Sequence, residues 1–148
     1  IVGGIREDKN NYSQSLVDLA LQFGVAEHII FTGSQSKMPE IYALSDVVVN
    51  ASLKMGNVAR TVTEALAMET PVIATTYEGL NNVIVDNVNG YIIKTKDPED
   101  LAEKIIRAHQ QSFVNIRKNL NAEFTLDCLV NSTIGVYTKL IQQKKVNK

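Results

Sequence analysis

Only one cysteine, Cys128, occurs in the chain, and tryptophan is absent. A lone thiol excludes an intramolecular disulfide framework and suits a reducing compartment, so a cytoplasmic protein is expected. The two histidines, His28 and His109, stand apart from any second ligand at metal-binding spacing, and no metal site is expected. No apolar run approaches the roughly 20 residues of a membrane-spanning helix, and no signal peptide is visible. Neither sign of charge prevails. Fifteen Lys and Arg against 16 Asp and Glu, mixed along the chain, leave a formal net charge of -1. That is no electrostatic footprint for nucleic acid or an anionic membrane. Lys144, Lys145 and Lys148 fall short of a polybasic cluster and read as a solvated tail.

Several chemistries fall away for want of their residues. The opening Ile1-Val2-Gly3-Gly4 resembles the processed amino terminus of trypsin-like serine proteases, but no Gly-Asp-Ser-Gly-Gly segment supplies their nucleophile. No serine is marked out with a histidine partner. The glycines form neither a Walker phosphate loop nor a dinucleotide fingerprint. No internal repeat, low-complexity block or linker interrupts the chain. At 148 residues and 45% hydrophobic it is one domain's worth and can bury a core.

What is present centres on residues 47–76, VVVNASLKMGNVARTVTEALAMETPVIATT. The segment reads as a buried strand over 47–50, a loop over 51–57, a helix carrying Glu64 and 65–68, a turn at Glu69-Thr70-Pro71, and a second buried strand over 72–74. Short apolar runs rich in β-branched residues, lacking polar alternation and separated by a helix, fit a parallel sheet covered on both faces. Such sheets bind ligands beyond the carboxyl ends of their strands, at loop-to-helix joints. Residues 51–61 form one of these joints.

The rest of the chain supplies further βα units. Ile1 to Gly4 reads as a strand end running into a glycine turn, so the chain is expected to begin inside a fold, as a fragment. A helix over 12–23 has Leu16, Leu19, Ala20 and Phe23 on one face and Gly24 as its left-handed stop. Strand 29–31 ends in the loop Thr32-Gly33-Ser34. Pro39 opens a short helix through Ile41, Tyr42 and Leu44, with Tyr42 read as packing. After the second central strand come a loop at 77–82, a helical turn at 82–85, the turn Asp86 to Gly90, and a strand over 91–93. Asp97 caps a helix with Pro98 in its first turn and Glu99 and Asp100 near the positive end of its dipole. It should run to His109 with Leu101, Ala102, Ile105 and Ala108 inward. Closing helices are expected over 113–120 and 126–143. In the second, Leu126, Val130, Tyr137 and Ile141 keep helical spacing, with Cys128 as a small core residue.

Of the ionisable residues, Glu64 has the most suggestive place. It lies just inside a helix whose amino end follows a polar loop, where unpaired N–H groups and the dipole attract phosphate. A carboxylate there can accept two hydroxyl hydrogen bonds from a ribose. By itself, a glutamate beside a helix start is more often plain dipole compensation.

The strings IVGG, IIFTG, MPEIYALSDVVVNAS, TVTEALAMETPVIAT, VDNVNGYIIK and DPEDLAEKI, in this order, resemble the carboxyl-terminal lobe of the retaining, two-lobed GT-B glycosyltransferases of group 1, family 4. The resemblance spans essentially the whole chain. It implies an α/β fold, a Rossmann-like parallel sheet flanked by helices, lacking the first βα unit of that lobe. It also implies a single partial donor-binding domain over 1–148 and three contacts to a nucleotide sugar. Glu64 matches the glutamate that binds ribose hydroxyls. Arg60, Thr61 and Val62 match the helix start whose backbone N–H groups meet the diphosphate. Thr32, Gly33 and Ser34 match the loop lying against the base.

The departures from the family pattern matter equally. The family's first glutamate, which contacts the transferred sugar, falls at Gly56, so no catalytic residue is assigned. Its Phe-Gly pair is Val58-Ala59. Glu69 and Glu78 stand where the family has glycines, Gly79 is kept, and Asn82 stands where glutamate is common. At a left-handed helix end, glutamate for glycine costs about 1 kcal/mol or more. These exchanges fit relaxed selection on a gene remnant. The basic residues that clamp donor phosphates are absent, because Arg6 and Lys9 follow a different strand.

The expected parent activity is hexosyl transfer from a nucleotide sugar, linked to UDP, GDP or another nucleotide, to a glycan, lipid or other hydroxyl acceptor with the anomeric configuration retained. No cofactor is implied beyond that substrate. The acceptor would sit on a separate amino-terminal lobe, which would also make any peripheral membrane contact. The isolated chain should have little or no turnover. Two other readings remain open: a non-catalytic nucleotide-sugar-binding or partner-binding remnant, and a lobe of a sugar phosphorylase or epimerase of similar architecture.

Overall fold

The computed structural model describes residues 1–4, 10–53, 58–76, 83–120 and 122–146. Arg6, Lys9, Gly56, Glu78, Gly79 and Asn82 lie outside the described residues. Two compact units divide the chain, Ile1–Met38 and Pro39–Lys148.

In the first unit, α1 (Asn10–Gln22) ends where Gly24 takes φ 65. Gly24 N–H donates to Leu21 O and Val25 N–H to Ala20 O, the paired bonds that close a helix around a left-handed residue. Of the face expected to turn inward only Ala20 is buried, and Phe23 is 70% exposed. Residues 29–31 run extended rather than forming a regular strand. They pair with the start of the chain through Ile1 N to Ile30 O (2.6 Å) and Thr32 N–H to Ile1 O (3.0 Å).

In the second unit a three-stranded parallel sheet is built from β1 (Val48–Asn50), β2 (Val72–Thr75) and β3 (Gly90–Ile93), with β2 in the middle. Val48 stands opposite Val72, and Val72 opposite Gly90. All four β2 residues are buried, as an unalternating Val-Ile-Ala-Thr run between two neighbours requires. The crossover from β1 to β2 is α3 (Val58–Ala67). It lays Val62, Ala65 and Leu66, all fully buried, on the core side. Removing each large aliphatic side chain of this core from water contributes about 1.5–3 kcal/mol.

The end of α3 takes the form that its Glu69 should resist. Glu69 has φ 63, its N–H donates to Leu66 O, and Thr70 N–H donates to Ala65 O. A non-glycine residue thus occupies the left-handed closing position. Beyond β2, residues 83–85 form a turn and not a helix. The Asp86 to Gly90 turn is held by the fully buried Asn89, whose side chain accepts from Val85 N–H (2.7 Å) and donates to Val83 O (2.9 Å). Gly90 is obligatory, since a Cβ there would lie 1.9 Å from Val72 O.

α4 (Pro98–Gln110) begins as the sequence reading requires, with the Asp97 side chain accepting from Asp100 N–H at 3.0 Å. Ala108 is buried and Leu101 packs against the Ile73, Tyr91 and Ile93 cluster, but Ala102 and Ile105 face outward. The helix expected over 113–120 does not form. Asn115 at φ 57 breaks helical geometry, Phe113 packs edge-on to Tyr91, and only a 3₁₀ turn, Arg117–Asn119, follows. α5 (Leu126–Val146) is a long helix, as expected, but Leu126, Val130, Tyr137 and Ile141 are exposed, and Cys128 is half-buried rather than core.

Candidate functional site

The joint between β1 and α3 is built from its anchors outward. Asn50, the last residue of β1, accepts from Ser52 N–H (3.3 Å) and Ser52 Oγ (2.7 Å), turning the chain as it leaves the sheet. Thr75 Oγ1, at the end of β2, donates to Ser52 O at 2.8 Å. The exit of the loop is therefore tied to the neighbouring strand. Its return is α3, whose buried Val62, Ala65 and Leu66 fix which face looks outward.

Helical spacing places Arg60, Thr61 and Glu64 on that outer side. Arg60 and Glu64 are exposed and Thr61 is half-buried, whereas Val62 is wholly buried and has only its amide to offer. α3 begins at Val58, directly after the loop expected over 51–57, so the unpartnered N–H groups of its first turn reach as far as Arg60. The amides of Thr61 and Val62 follow in the second turn, where N–H groups bond to the carbonyl four residues back. Glu64 lies six residues past Val58, roughly 9 Å along the axis, and helical side chains lean toward the amino end. Carboxylate and first-turn amides thus lie along the same helix, about 9 Å apart along its axis.

Glu64 does not stand alone. Its Oε2 accepts a hydrogen bond from the Tyr42 hydroxyl at 3.1 Å, across a sequence separation of 22. Tyr42, on α2 (Met38–Leu44), is 5% exposed, and its carbonyl accepts from Thr70 Oγ1 at 2.6 Å. Burial raises the phenol's pKa above its ordinary value of 10.0, the hydrogen bond and charge of Glu64 raise it further, and the Thr61 side chain opposes them. The phenol is therefore a proton donor at neutral pH. Reading Tyr42 as packing alone missed this contact, although a buried tyrosine hydroxyl nearly always has a partner.

Thr32, Gly33 and Ser34 belong to the first unit. Gly33 takes φ 67 and accepts from Gly3 N–H at 3.0 Å, Thr32 Oγ1 bonds to local carbonyls, and Gln35 Nε2 donates to Thr32 O at 2.7 Å. A Cβ on Gly4 would meet Ser34 Oγ at 2.2 Å. The loop is thus closely fitted to the chain beside it. Among the described residues no three His, Cys, Asp or Glu side chains gather to hold a metal ion, and no helix is long and apolar enough to cross a membrane.

A three-stranded parallel sheet flanked by helices defines the class: an α/β architecture of the GT-B type. The family is then fixed by comparison. The model of the glycosyl transferases group 1 matches residues 1–124, and the chain belongs to that family. It is 30% identical over 147 residues to a putative glycosyltransferase, YtcC, of Bacillus subtilis, covering 93% of this chain and 36% of the relative. The sucrose-phosphate synthase of Thermosynechococcus elongatus superposes with a TM-score of 0.82 at 22% identity, over 96% of this chain and 38% of that one. Anabaena HepE, solved in complex with UDP-glucose, gives 0.72 at 23% identity, over 80% and 33%. At such identities the likeness is one of fold. The chain spans 23–36% of the length of the first curated relatives it matches.

Proposed function

We propose that this chain is the donor-binding, carboxyl-terminal domain, over 1–148, of a retaining family 4 glycosyltransferase that moves a hexosyl group from a nucleotide sugar to a hydroxyl acceptor. The observation that carries the reading is Glu64, exposed, held by Tyr42, and set on the outer face of α3 just beyond the helix's unpaired amides. Glu64 accepts the ribose hydroxyls. The amino end of α3, through Arg60 and with Thr61 and Val62 following, faces the diphosphate, where its dipole and N–H groups neutralise the leaving group. The family resemblance assigns Thr32, Gly33 and Ser34 of the first unit to the base. Family membership and a relative solved with UDP-glucose support a sugar nucleotide as the ligand.

Transfer also needs an acceptor held against the donor. On this reading that is the work of an amino-terminal lobe, in the cytoplasm, with any membrane contact made through that lobe. Calorimetry with UDP and GDP on the chain and on Glu64→Ala tests the assignment. Binding weakened by the substitution is expected, and equal binding by both would remove Glu64 from the site.

A second reading is favoured by one residue. Gly56, where the family carries the glutamate that touches the transferred sugar, fits a domain that binds nucleotide sugar without catalysing transfer. Restoring glutamate at 56 in a two-lobed protein and finding no gain in turnover would show that Gly56 is not the limiting defect and count against this reading.

A further inference from the structure

We propose that Tyr42 is a positioning residue for nucleotide recognition, its hydroxyl fixing the Glu64 carboxylate so that the remaining lone pairs select a ligand carrying free ribose hydroxyls. The inference rests on the assignment of Glu64 to the ribose.

A glutamate on an exposed helix face has three rotatable bonds, and ordering it for a ligand costs side-chain entropy. Here that cost is met before any ligand arrives. Tyr42 Oη reaches Glu64 Oε2 at 3.1 Å, and the ring that carries it is 5% exposed and cannot swing away. The backbone behind the ring is clamped as well. Thr70 Oγ1 and Ser45 N–H both donate to Tyr42 O, at 2.6 and 3.0 Å, and Ser45 Oγ donates to Ile41 O at 2.7 Å. Thr70 itself follows the left-handed residue that closes α3, so one residue ties the end of α3 to the segment that orients its carboxylate.

The stereochemistry of the acceptor gives the bond its use. An ionised carboxylate offers about four lone-pair sites and no donor. A phenol has one proton, so the Tyr42 hydroxyl occupies one site on Oε2 and leaves Oε1 without a hydrogen bond among the described residues. Vicinal hydroxyls of a ribose are two donors that such a carboxylate can accept together, and a ligand without them would leave its lone pairs unmet. The raised phenol pKa keeps the donor protonated throughout the neutral range.

The test is a calorimetric cycle on the chain with UDP and with 2′,3′-dideoxy-UDP, using wild type, Tyr42→Phe, Glu64→Ala and the double variant. Phenylalanine keeps the ring and removes only the hydroxyl. Tyr42→Phe should weaken UDP binding about five- to tenfold, the net worth of one typical hydrogen bond. It should change dideoxy-UDP binding less than about twofold, and have no further effect in the Glu64→Ala background. A merely structural tyrosine would lower affinity for both ligands, and would do so whether or not Glu64 is present; either result overturns the proposal. If Glu64→Ala weakens UDP binding and Tyr42→Phe does not, the proposal fails while the ribose assignment stands. If Glu64→Ala also leaves UDP binding unchanged, both fall.

Discussion

The carboxylate of Glu69 accepts a hydrogen bond from the backbone N–H of Arg117 at 3.1 Å, 48 residues further along the chain. Arg117 answers by donating from Nε to Ala67 O, so the end of α3 and the 3₁₀ turn after α4 hold each other. The glutamate that occupies a left-handed position at φ 63 therefore offsets part of its backbone strain through its side chain. Glu69→Ala keeps the strain and loses the bond, and should cost about 1 kcal/mol. Glu69→Gly loses the same bond but relieves the strain, and should be about 1 kcal/mol more stable than the alanine variant. Urea unfolding of the three proteins checks the order, and an alanine variant as stable as the glycine variant would contradict it.

Asn89 is the most demanding polar residue of the core. Its amide satisfies both Val85 N–H and Val83 O, and it is fully buried. Asn89→Ala would orphan two backbone groups, at about 1–3 kcal/mol each. A loss of about 2–4 kcal/mol in denaturant unfolding is expected, and a loss below 1 kcal/mol would mean that the turn re-pairs by another route.

At Gly90 the limit is space. The nearest atoms to an added Cβ are the oxygen, carbon and nitrogen of Val72, at 1.9, 2.9 and 3.0 Å, all backbone of the central strand. Gly90→Ala must push β3 off β2, a cost of about 3 kcal/mol or more, at the upper end of overpacking. The melting temperature should fall steeply, whereas Gly135→Ala, where an added Cβ meets nothing within 4 Å, should leave it unchanged or higher.

Tyr42 gives the protein an alkaline dependence with a definite sign. Burial first, then the hydrogen bond and charge of Glu64, raise its pKa above 10.0. In the unfolded chain the phenol loses its proton near pH 10, while in the folded protein it holds it to higher pH. The stabilisation is therefore complete below pH 10 and is lost as pH rises through the folded value. Tyr42→Phe should flatten the fall in stability above pH 10 and leave its slope below pH 8 unaltered. Unfolding curves between pH 7 and 11 measure both.

What the sequence made legible was whatever a few neighbouring residues decide. Asp97 followed by Pro98 is a helix start by its own chemistry, and Gly24 a helix stop by its own. The Val-Ile-Ala run of β2 needs burial on both faces whatever surrounds it. The misses depend on distant partners. Residues 113–120 have apolar content enough for a helix, but Phe113 packs on Tyr91 and Asn115 turns left-handed, so the segment wraps instead of coiling. In α5 the spacing of Leu126, Val130, Tyr137 and Ile141 is helical, and the helix forms, yet spacing alone does not say what lies against it. Within the candidate site, Glu64 could be singled out from its place on a helix. Tyr42 could not, because the contact spans 22 residues and joins two helices whose packing no local pattern records.

Ser52 and Val62 act as two posts. The first is moored to Thr75 by its carbonyl and the second has its side chain sunk in the core, so the positions where the chain departs from one strand and re-enters the layer are set by contacts inside the fold. The two ends of the segment that joins β1 to α3 are accordingly held by the scaffold itself.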